Sequence, residues 1–367
     1  MNIPFVDLNA QYDSIKEDID ASINAVISEK SFIGGKYVGN FEQSFAQMMG
    51  VKHCVPVGNG TDALFIAMKM LGIGLGDEVI TTALSWISTS ESISQTGAKP
   101  IFIDINEQYY TIDEEMIEKK ITSATKAILP VHIYGQPTNM TVIKNLCDKH
   151  GLFLIEDCAQ AHFAEWREQK VGTFGNAGTF SFFPSKNLGA YGDAGAIVTN
   201  DDDYAIKCRM YANHGALIRH HHKFEGLNSR LDGLQAAILS AKLPHILEWN
   251  QKRRDNANIY NQLLDGLSEV SLPIVHPDAL HVFHLYVIKV KNREDLGKYL
   301  KNKGIATGIH YPTPLPFLEA YDYLEEDEAD YPVAVSNQKE ILSLPMYPEL
   351  EFRQIEYICD EIKGFYS

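Results

Sequence analysis

At roughly 150 residues per domain, 367 residues leave room for two or three domains, or for one large α/β unit with a smaller companion. Apolar residues at 45% and charged residues at 22% are ordinary globular usage, which excludes a largely disordered chain. Forty-eight acids against 32 Lys plus Arg give a formal charge of −16, which argues against a nucleic-acid partner held through phosphates. A few well-placed Arg and His can still focus charge on a small anion.

In chain order, Ile15, Ile19, Ile23, Val26 and Ile27 recur at helical spacing and predict a helix over Asp13–Glu29. Phe41, Phe45, Met48 and Met49 mark a second. A strand–helix alternation follows. Strands are expected at His53–Val57, Glu78–Thr81, Pro100–Ile103, Lys126–Val131 and Leu152–Glu156, with helices at Thr61–Leu71, Ile87–Gln95, Asp113–Ile121 and Thr141–His150 between them. That order indicates βαβ units and a mostly parallel sheet. Gly178–Phe182 and Gly195–Thr199 read as two further strands separated by a Gly-rich turn region. Helices at Leu231–Leu247 and Glu248–Leu267 follow, then a strand at Leu285–Val290 and helices at Arg293–Lys303 and Glu351–Gly364. The pattern divides the chain into 1–247 and 248–367. The acidic run Glu325–Asp330 reads as a solvated loop.

The longest stretch without Asp, Glu, Lys or Arg, Ala127–Ile143, carries two prolines and several polar groups and is unsuited to lipid. Six acids in the first thirty residues argue against a signal peptide. Five cysteines without a CxxC pair suit neither a disulfide framework nor a zinc ribbon. A soluble cytoplasmic enzyme is the expectation.

Four segments carry chemistry. In Gly58-Asn59-Gly60-Thr61-Asp62-Ala63-Leu64 a strand ends, glycines turn the chain and a helix begins. This is either a phosphate cradle, with helix amides and the Thr61 hydroxyl as donors, or a plain Gly turn with an N-cap. Asp62 beside a phosphate would repel it, so Asp62 is expected to cap the helix or point away. In Leu154-Ile155-Glu156-Asp157-Cys158-Ala159-Gln160 an apolar strand runs into an acid at its C-terminal end, the end that faces the ligand crevice in open α/β sheets. A buried carboxylate there needs a cation, and a protonated pyridine nitrogen would serve; the acid could equally belong to a turn. In Ser181-Phe182-Phe183-Pro184-Ser185-Lys186-Asn187-Leu188-Gly189, Lys186 sits among apolar and small residues. Withdrawn from water, it becomes a usable amine nucleophile for a Schiff base; otherwise it is a surface-loop lysine. Gly226-Leu227-Asn228-Ser229-Arg230-Leu231-Asp232 leads into a helix.

These segments, with GDEVITTALSWIST and GDAGAIVTN, resemble in order and spacing the DegT/DnrJ/EryC1/StrS family of pyridoxal-phosphate sugar aminotransferases. The resemblance covers almost the whole chain. It implies the aspartate aminotransferase fold type I: a large α/β domain with a mostly parallel sheet and a smaller α+β C-terminal domain. Lys186 then matches the lysine that holds pyridoxal 5′-phosphate and shuttles the proton. Asp157 matches the acid opposite the pyridinium nitrogen, Trp86 the aromatic stacked on the ring, and Gln160 the residue near the phenolic oxygen. Gly60, Thr61 and Ser181 match the phosphate cradle, and Asn228 a phosphate contact from the neighbouring subunit of a homodimer. His310 and Tyr311 match a segment lining the sugar-nucleotide site, with Arg230 reaching a substrate anion across the interface.

The stretch from His214 through Arg219-His220-His221-His222 to Asp232 is similar to enzymes that aminate C3 of UDP-3-keto-hexoses, which places His214 among the substrate residues. Three adjacent His rarely converge on one ion, so no metal is expected. The implied partners are L-glutamate, leaving as 2-oxoglutarate, and a nucleotide-linked keto-sugar, in the service of lipopolysaccharide or surface polysaccharide; neither nucleic acid nor membrane is a partner. Amination at C4, and a non-catalytic regulatory protein on the same fold, are the alternatives. Dehydratases of the family usually have His at the lysine position, and Lys186 argues against that activity. Phe163 stands where the family often has Gly, and Cys158 where Ala is usual; Phe163 is expected to bear on the pocket.

Overall fold

The computed structural model describes residues 1–367. Seven strands form the main sheet, in the spatial order His53–Val57, Gly195–Thr199, Ala177–Ser181, Phe153–Asp157, Thr125–Leu129, Glu78–Thr82, Lys99–Ile103. Only Gly195–Thr199 runs against its neighbours; the other pairs are parallel. Such a sheet must be covered on both faces, and its strands read as near-continuous apolar runs. Side chains alternate across it: Ala196 and Val198 join a core with Phe41, Phe45 and Ala236, whereas Ile197 joins another with Ala63, Ile66 and Tyr204. The first core belongs to helices Lys16–Glu29, Lys36–Met49 and Gly233–Lys242, the second to Gly60–Met70 and Asp202–Tyr211.

The expected N-terminal helix is two helices. Leu8–Ser14 is capped by Asp7, which accepts from the Ala10 N–H at 2.9 Å, and Lys16–Glu29 follows a break at Ile15. Apolar spacing sees only the buried stripe, which runs on through the break. A second sheet joins Val270–Ser271, Tyr286–Val290 and Ile341–Leu344, all antiparallel. Its core gathers Tyr260, Tyr286, Leu300, Leu344 and Ile358 with Ile3 from the chain's start.

The division drawn at residue 248 falls inside one helix, Ile246–Leu264. Ile246 and Trp249 pack with the main sheet, and Ala257, Tyr260 and Leu264 with the small one. No helix is long and apolar enough to cross a membrane. In the acidic run, Glu328–Asp330 forms one exposed 3-10 turn, and Glu326 accepts the Tyr331 hydroxyl at 2.7 Å.

Candidate active site

A cavity of about 760 Å³ opens at the C-terminal ends of the parallel strands. Asp157 and Ser181 are the last residues of their strands, and Gly60, Ser85, Trp86 and Val131 follow closely after others. Nine of the residues singled out from the sequence line it together: Gly60, Thr61, Trp86, Asp157, Gln160, Ser181, Lys186, His310 and Tyr311.

At one end the Gly60–Met70 helix begins. Its cap is Asn59, whose side chain accepts the Asp62 N–H at 2.8 Å, rather than Asp62. Asp62 accepts the Ser229 hydroxyl at 2.6 Å, and the Ser229 oxygen accepts the Gly58 N–H at 2.9 Å. Gly60 has no room for a side chain, because a Cβ there lies 2.7 Å from the Ser181 Cβ. The result is a backbone cradle at a helix N-terminus, flanked by the Thr61 and Ser181 hydroxyls, which is the arrangement an anion seeks.

Asp157 is buried, and that burial pushes its carboxyl above the usual range despite two hydrogen bonds. It accepts the Ala159 N–H at 3.1 Å and the Thr89 hydroxyl at 2.8 Å. Thr89 spends its only proton on that carboxylate, so the Ser85 hydroxyl, 2.8 Å from Thr89 Oγ1, must donate to Thr89. Neither hydroxyl was singled out from the sequence. The signal was a helix, Ser88–Thr96, whose buried residues include Thr89, Ser90 and Ser92.

Lys186 lies on the loop after Ala177–Ser181, its N–H bonded to the Phe183 carbonyl at 2.9 Å. Burial pushes its amine down to about 8, with the Asp157 carboxylate pulling the other way. Gln160 is held at both ends: its oxygen accepts the Tyr134 N–H at 2.6 Å and its nitrogen donates to the Tyr311 hydroxyl at 2.9 Å. His310 meets the Ser343 hydroxyl at 2.8 Å and stacks on Phe5 at 5.4 Å. Burial first, and then the Lys186 charge, push its imidazole down to about 4. Phe5 and Val6, also missed, reach the cavity because Ile3 pairs with Ile305 in the small half. Trp86 lines the cavity, is 58% exposed and tilts against Tyr311 at 5.8 Å.

Three residues lie outside this cavity. Asn228 and Arg230 are exposed on either side of buried Ser229, and Arg230 lines a separate hollow of about 290 Å³ with Ile33, Arg209 and Leu217. His214 is exposed on the same stretch, with its carbonyl taken by the His222 ring, so within one chain it does not reach the substrate cavity as expected. Phe163 is also outside: it is core, edge-on to Phe45 at 5.6 Å, with φ +61°. That left-handed backbone favours Gly, so a Gly here relieves strain rather than opening the pocket.

One buried His/Glu/Cys group, His132, Glu156 and Cys158, has metal-like spacing. Glu156 and His132 are already engaged within the chain. Glu156 accepts the N–H groups of Gly172, Phe174 and Gly175 at 2.6, 2.8 and 3.0 Å, and His132 Nδ1 accepts that of Thr138 at 3.0 Å.

Comparison with known proteins decides the class. Residues 13–363 match the DegT/DnrJ/EryC1/StrS aminotransferase family. The chain belongs to this family. Relatives of this DegT-family aminotransferase include a Geobacillus stearothermophilus protein named a pleiotropic regulatory protein, 44% identical over 100% of this chain and 99% of the relative. Another is the UDP-N-acetyl-3-dehydro-α-D-glucosamine 3-aminotransferase of Acidithiobacillus ferrooxidans, 42% identical over 98% and 97%. A third is the dTDP-3-amino-3,4,6-trideoxy-α-D-glucose transaminase of Streptomyces venezuelae, 39% identical over 98% and 95%. The crystal structure of S. venezuelae DesV with a ketimine intermediate superposes with a TM-score of 0.97 at 39% identity, covering 99% and 98% of the two chains.

Aminotransferases of the DegT family depend on pyridoxal phosphate, and a Bacillus subtilis neighbour (TM-score 0.88, 30% identity, 96% and 82% covered) carries pyridoxamine phosphate. The residues present fit that cofactor. One cavity offers a cradle for a phosphate, a buried carboxylate for a ring cation, a desolvated amine and an exposed aromatic side chain.

Proposed function

We propose that this aminotransferase moves an amino group from L-glutamate to a nucleotide-linked keto-sugar, at C3 of a UDP-3-keto-hexose in N-acetylated or uronic form. The product would serve surface polysaccharide or lipopolysaccharide synthesis. The observation that carries the reading is the meeting of Lys186 and Asp157 in one cavity with the cradle of Gly60, Thr61 and Ser181. Relatives named for UDP-3-dehydro and dTDP-3-amino sugars support C3; they leave UDP and dTDP in competition.

When bound, pyridoxal phosphate supplies an electron sink beside the reacting C–H bond. The chain supplies everything else. Lys186 is the nucleophilic amine that attaches the cofactor and the base that carries the proton within the cavity. Asp157 is the fixed negative charge that keeps a ring nitrogen protonated, held in place by Thr89 and Ala159. Gly60, Thr61, Ser181 and the helix amides would hold the phosphate, Trp86 would stack on the ring, and Gln160, anchored by Tyr134, would orient its edge. His310 and Tyr311 face the sugar. Asn228, Arg230 and His214 complete the site of a second subunit in a homodimer, a role that suits their exposure outside their own cavity. Residues 1–247 and 248–367 would form the two domains that enclose it, joined through the helix Ile246–Leu264.

The test is a panel of UDP- and dTDP-linked 3-keto and 4-keto sugars offered with glutamate, read by mass and by NMR of the product. Amination at C4 alone would overturn the C3 assignment. The relative named as a regulatory protein favours a second reading, a non-catalytic regulator. A purified protein that binds no cofactor and gives no 2-oxoglutarate from glutamate would establish it.

A further inference from the structure

Three buried histidines, His132, His281 and His284, are fixed by their neighbours in tautomers that differ. His132 Nδ1 accepts the Thr138 N–H at 3.0 Å and His281 Nδ1 accepts the Phe283 N–H at 2.8 Å, so a neutral ring at either place carries its proton on Nε2. His284 is the reverse, for a reason that starts at a backbone carbonyl. The Val282 carbonyl can only accept, so the Asn187 side-chain atom 3.0 Å from it is the amide nitrogen. That nitrogen also donates to Asn250 Oδ1 at 2.9 Å, and the Asn250 nitrogen is committed to the His162 carbonyl at 2.9 Å. Asn187 therefore turns its oxygen to His284 Nδ1, 3.1 Å away, and that nitrogen must hold the proton.

His284 Nε2 is thus a bare lone pair. It has no donor within the chain, and His284 lines the cavity with Lys186 and Asp157. Burial, reinforced by the charges of Lys186 and Arg253, holds the ring neutral. Asn187, next to Lys186 in sequence, Asn250 and His284 are all buried, so the network cannot reverse without leaving buried polar groups unpaired.

We propose that His284 is a substrate-positioning residue whose Nε2 is a fixed acceptor for an N–H or O–H that a substrate brings into the cavity. The donor is the ammonium of the amino compound or a hydroxyl of the sugar. This rests on the transaminase reading, and it predicts discrimination against substrates that present only acceptors at that point.

Two replacements separate the two ring nitrogens. H284N keeps a donor for Asn187 and removes the acceptor; H284Q extends an amide toward the cavity and gives up the donor. In ¹⁵N-histidine-labelled apoprotein at neutral pH, a ring with protonated Nδ1 and free Nε2 is expected, and its signal is absent from H284N. H284N should melt with the wild type and load the cofactor, yet lose about tenfold in kcat/KM. The loss falls in the glutamate half-reaction if the donor is the ammonium, or in the sugar half-reaction if it is a hydroxyl. H284Q should melt lower while keeping kcat/KM nearer the wild type. An Nε2-protonated or doubly protonated His284, or H284N with wild-type kcat/KM in both half-reactions, overturns the proposal alone. A wild-type protein with the expected tautomer but no reaction with glutamate overturns the transaminase reading, and the substrate role with it.

Discussion

Lys186 and Asp157 illustrate how one environment sets two opposite tasks. Burial destabilises both charged forms, lowering the amine to about 8 and raising the carboxyl. The lysine gains a neutral, nucleophilic fraction near physiological pH, and the carboxylate gains a strong demand for a cation. In apoprotein, the reaction of Lys186 with an amine-selective reagent should follow a titration midpoint near 8 rather than at the ordinary 10.5. Reactivity falls below that pH as the amine protonates. K186A should lose the absorbance of covalently held cofactor, and at least about 10²- to 10⁴-fold in turnover from the proton-transfer role alone. If Asp157 faces a ring cation, D157N removes its counter-charge and should cost about 3–5 kcal/mol, or roughly 10²- to 10⁴-fold in turnover. T89V removes one hydrogen bond to that carboxylate and the acceptor of the Ser85 hydroxyl, and should cost about 1.5–3 kcal/mol. If the two variants decline equally, Asp157 is not paired with a charge.

At the scale of elements, the site depends on close backbone approach. The antiparallel strand Gly195–Thr199 passes beside the loop that carries Asn59 and Gly60, where a Cβ on Gly195 would lie 2.3 Å from the Asn59 carbonyl oxygen. Asn59 caps the helix that forms the cradle, so G195A presses directly on that cap. It should cost about 1–3 kcal/mol of stability and weaken cofactor retention, measured by thermal melting and by dialysis. Unchanged retention would separate the strand from the cradle. Ser229 is the second tie between elements. Because it bonds both Gly58 and Asp62, it fixes the loop carrying Asn228 and Arg230 to the cradle of its own chain while those two side chains face outward.

Over the whole molecule, the cavity is closed by parts far apart in sequence. Ile246–Leu264 spans the two cores, and the chain's start returns to the small one through Ile3 before placing Phe5 and Val6 in the cavity. If Asn228 completes the site of a second subunit, the lesions K186A and N228A fall in the same site of a mixed dimer and leave the other intact. Half of the randomly assorted dimers would be mixed, each with one intact site, so an equal mixture should recover roughly a quarter of wild-type turnover. No recovery after subunit exchange, or a monomer in light scattering, would place Asn228 outside any shared site.

Local sequence determined most of the elements, because strand alternation, apolar runs and Gly turns act over a few residues. His53–Val57 and Gly195–Thr199 carry the bounds expected of them, and the segments bearing Lys186, Asp157 and Gly60 were legible as chemistry. Helices Asp202–Tyr211 and Pro332–Glu340 and the strand Ile341–Leu344 went unread, and elsewhere a local signal is shared by two outcomes. The apolar stripe hid the break at Ile15, and Asn59 and Asp62 are equally good caps by type. Only the tertiary structure decided which groups meet. Thr89 beneath Asp157, Phe5 against His310, and the bonds that turn the Asn187 oxygen toward His284 join residues from 68 to about 300 positions apart. A hydrogen bond's direction depends on what every neighbour has already donated, and that accounting exists only once the chain has folded.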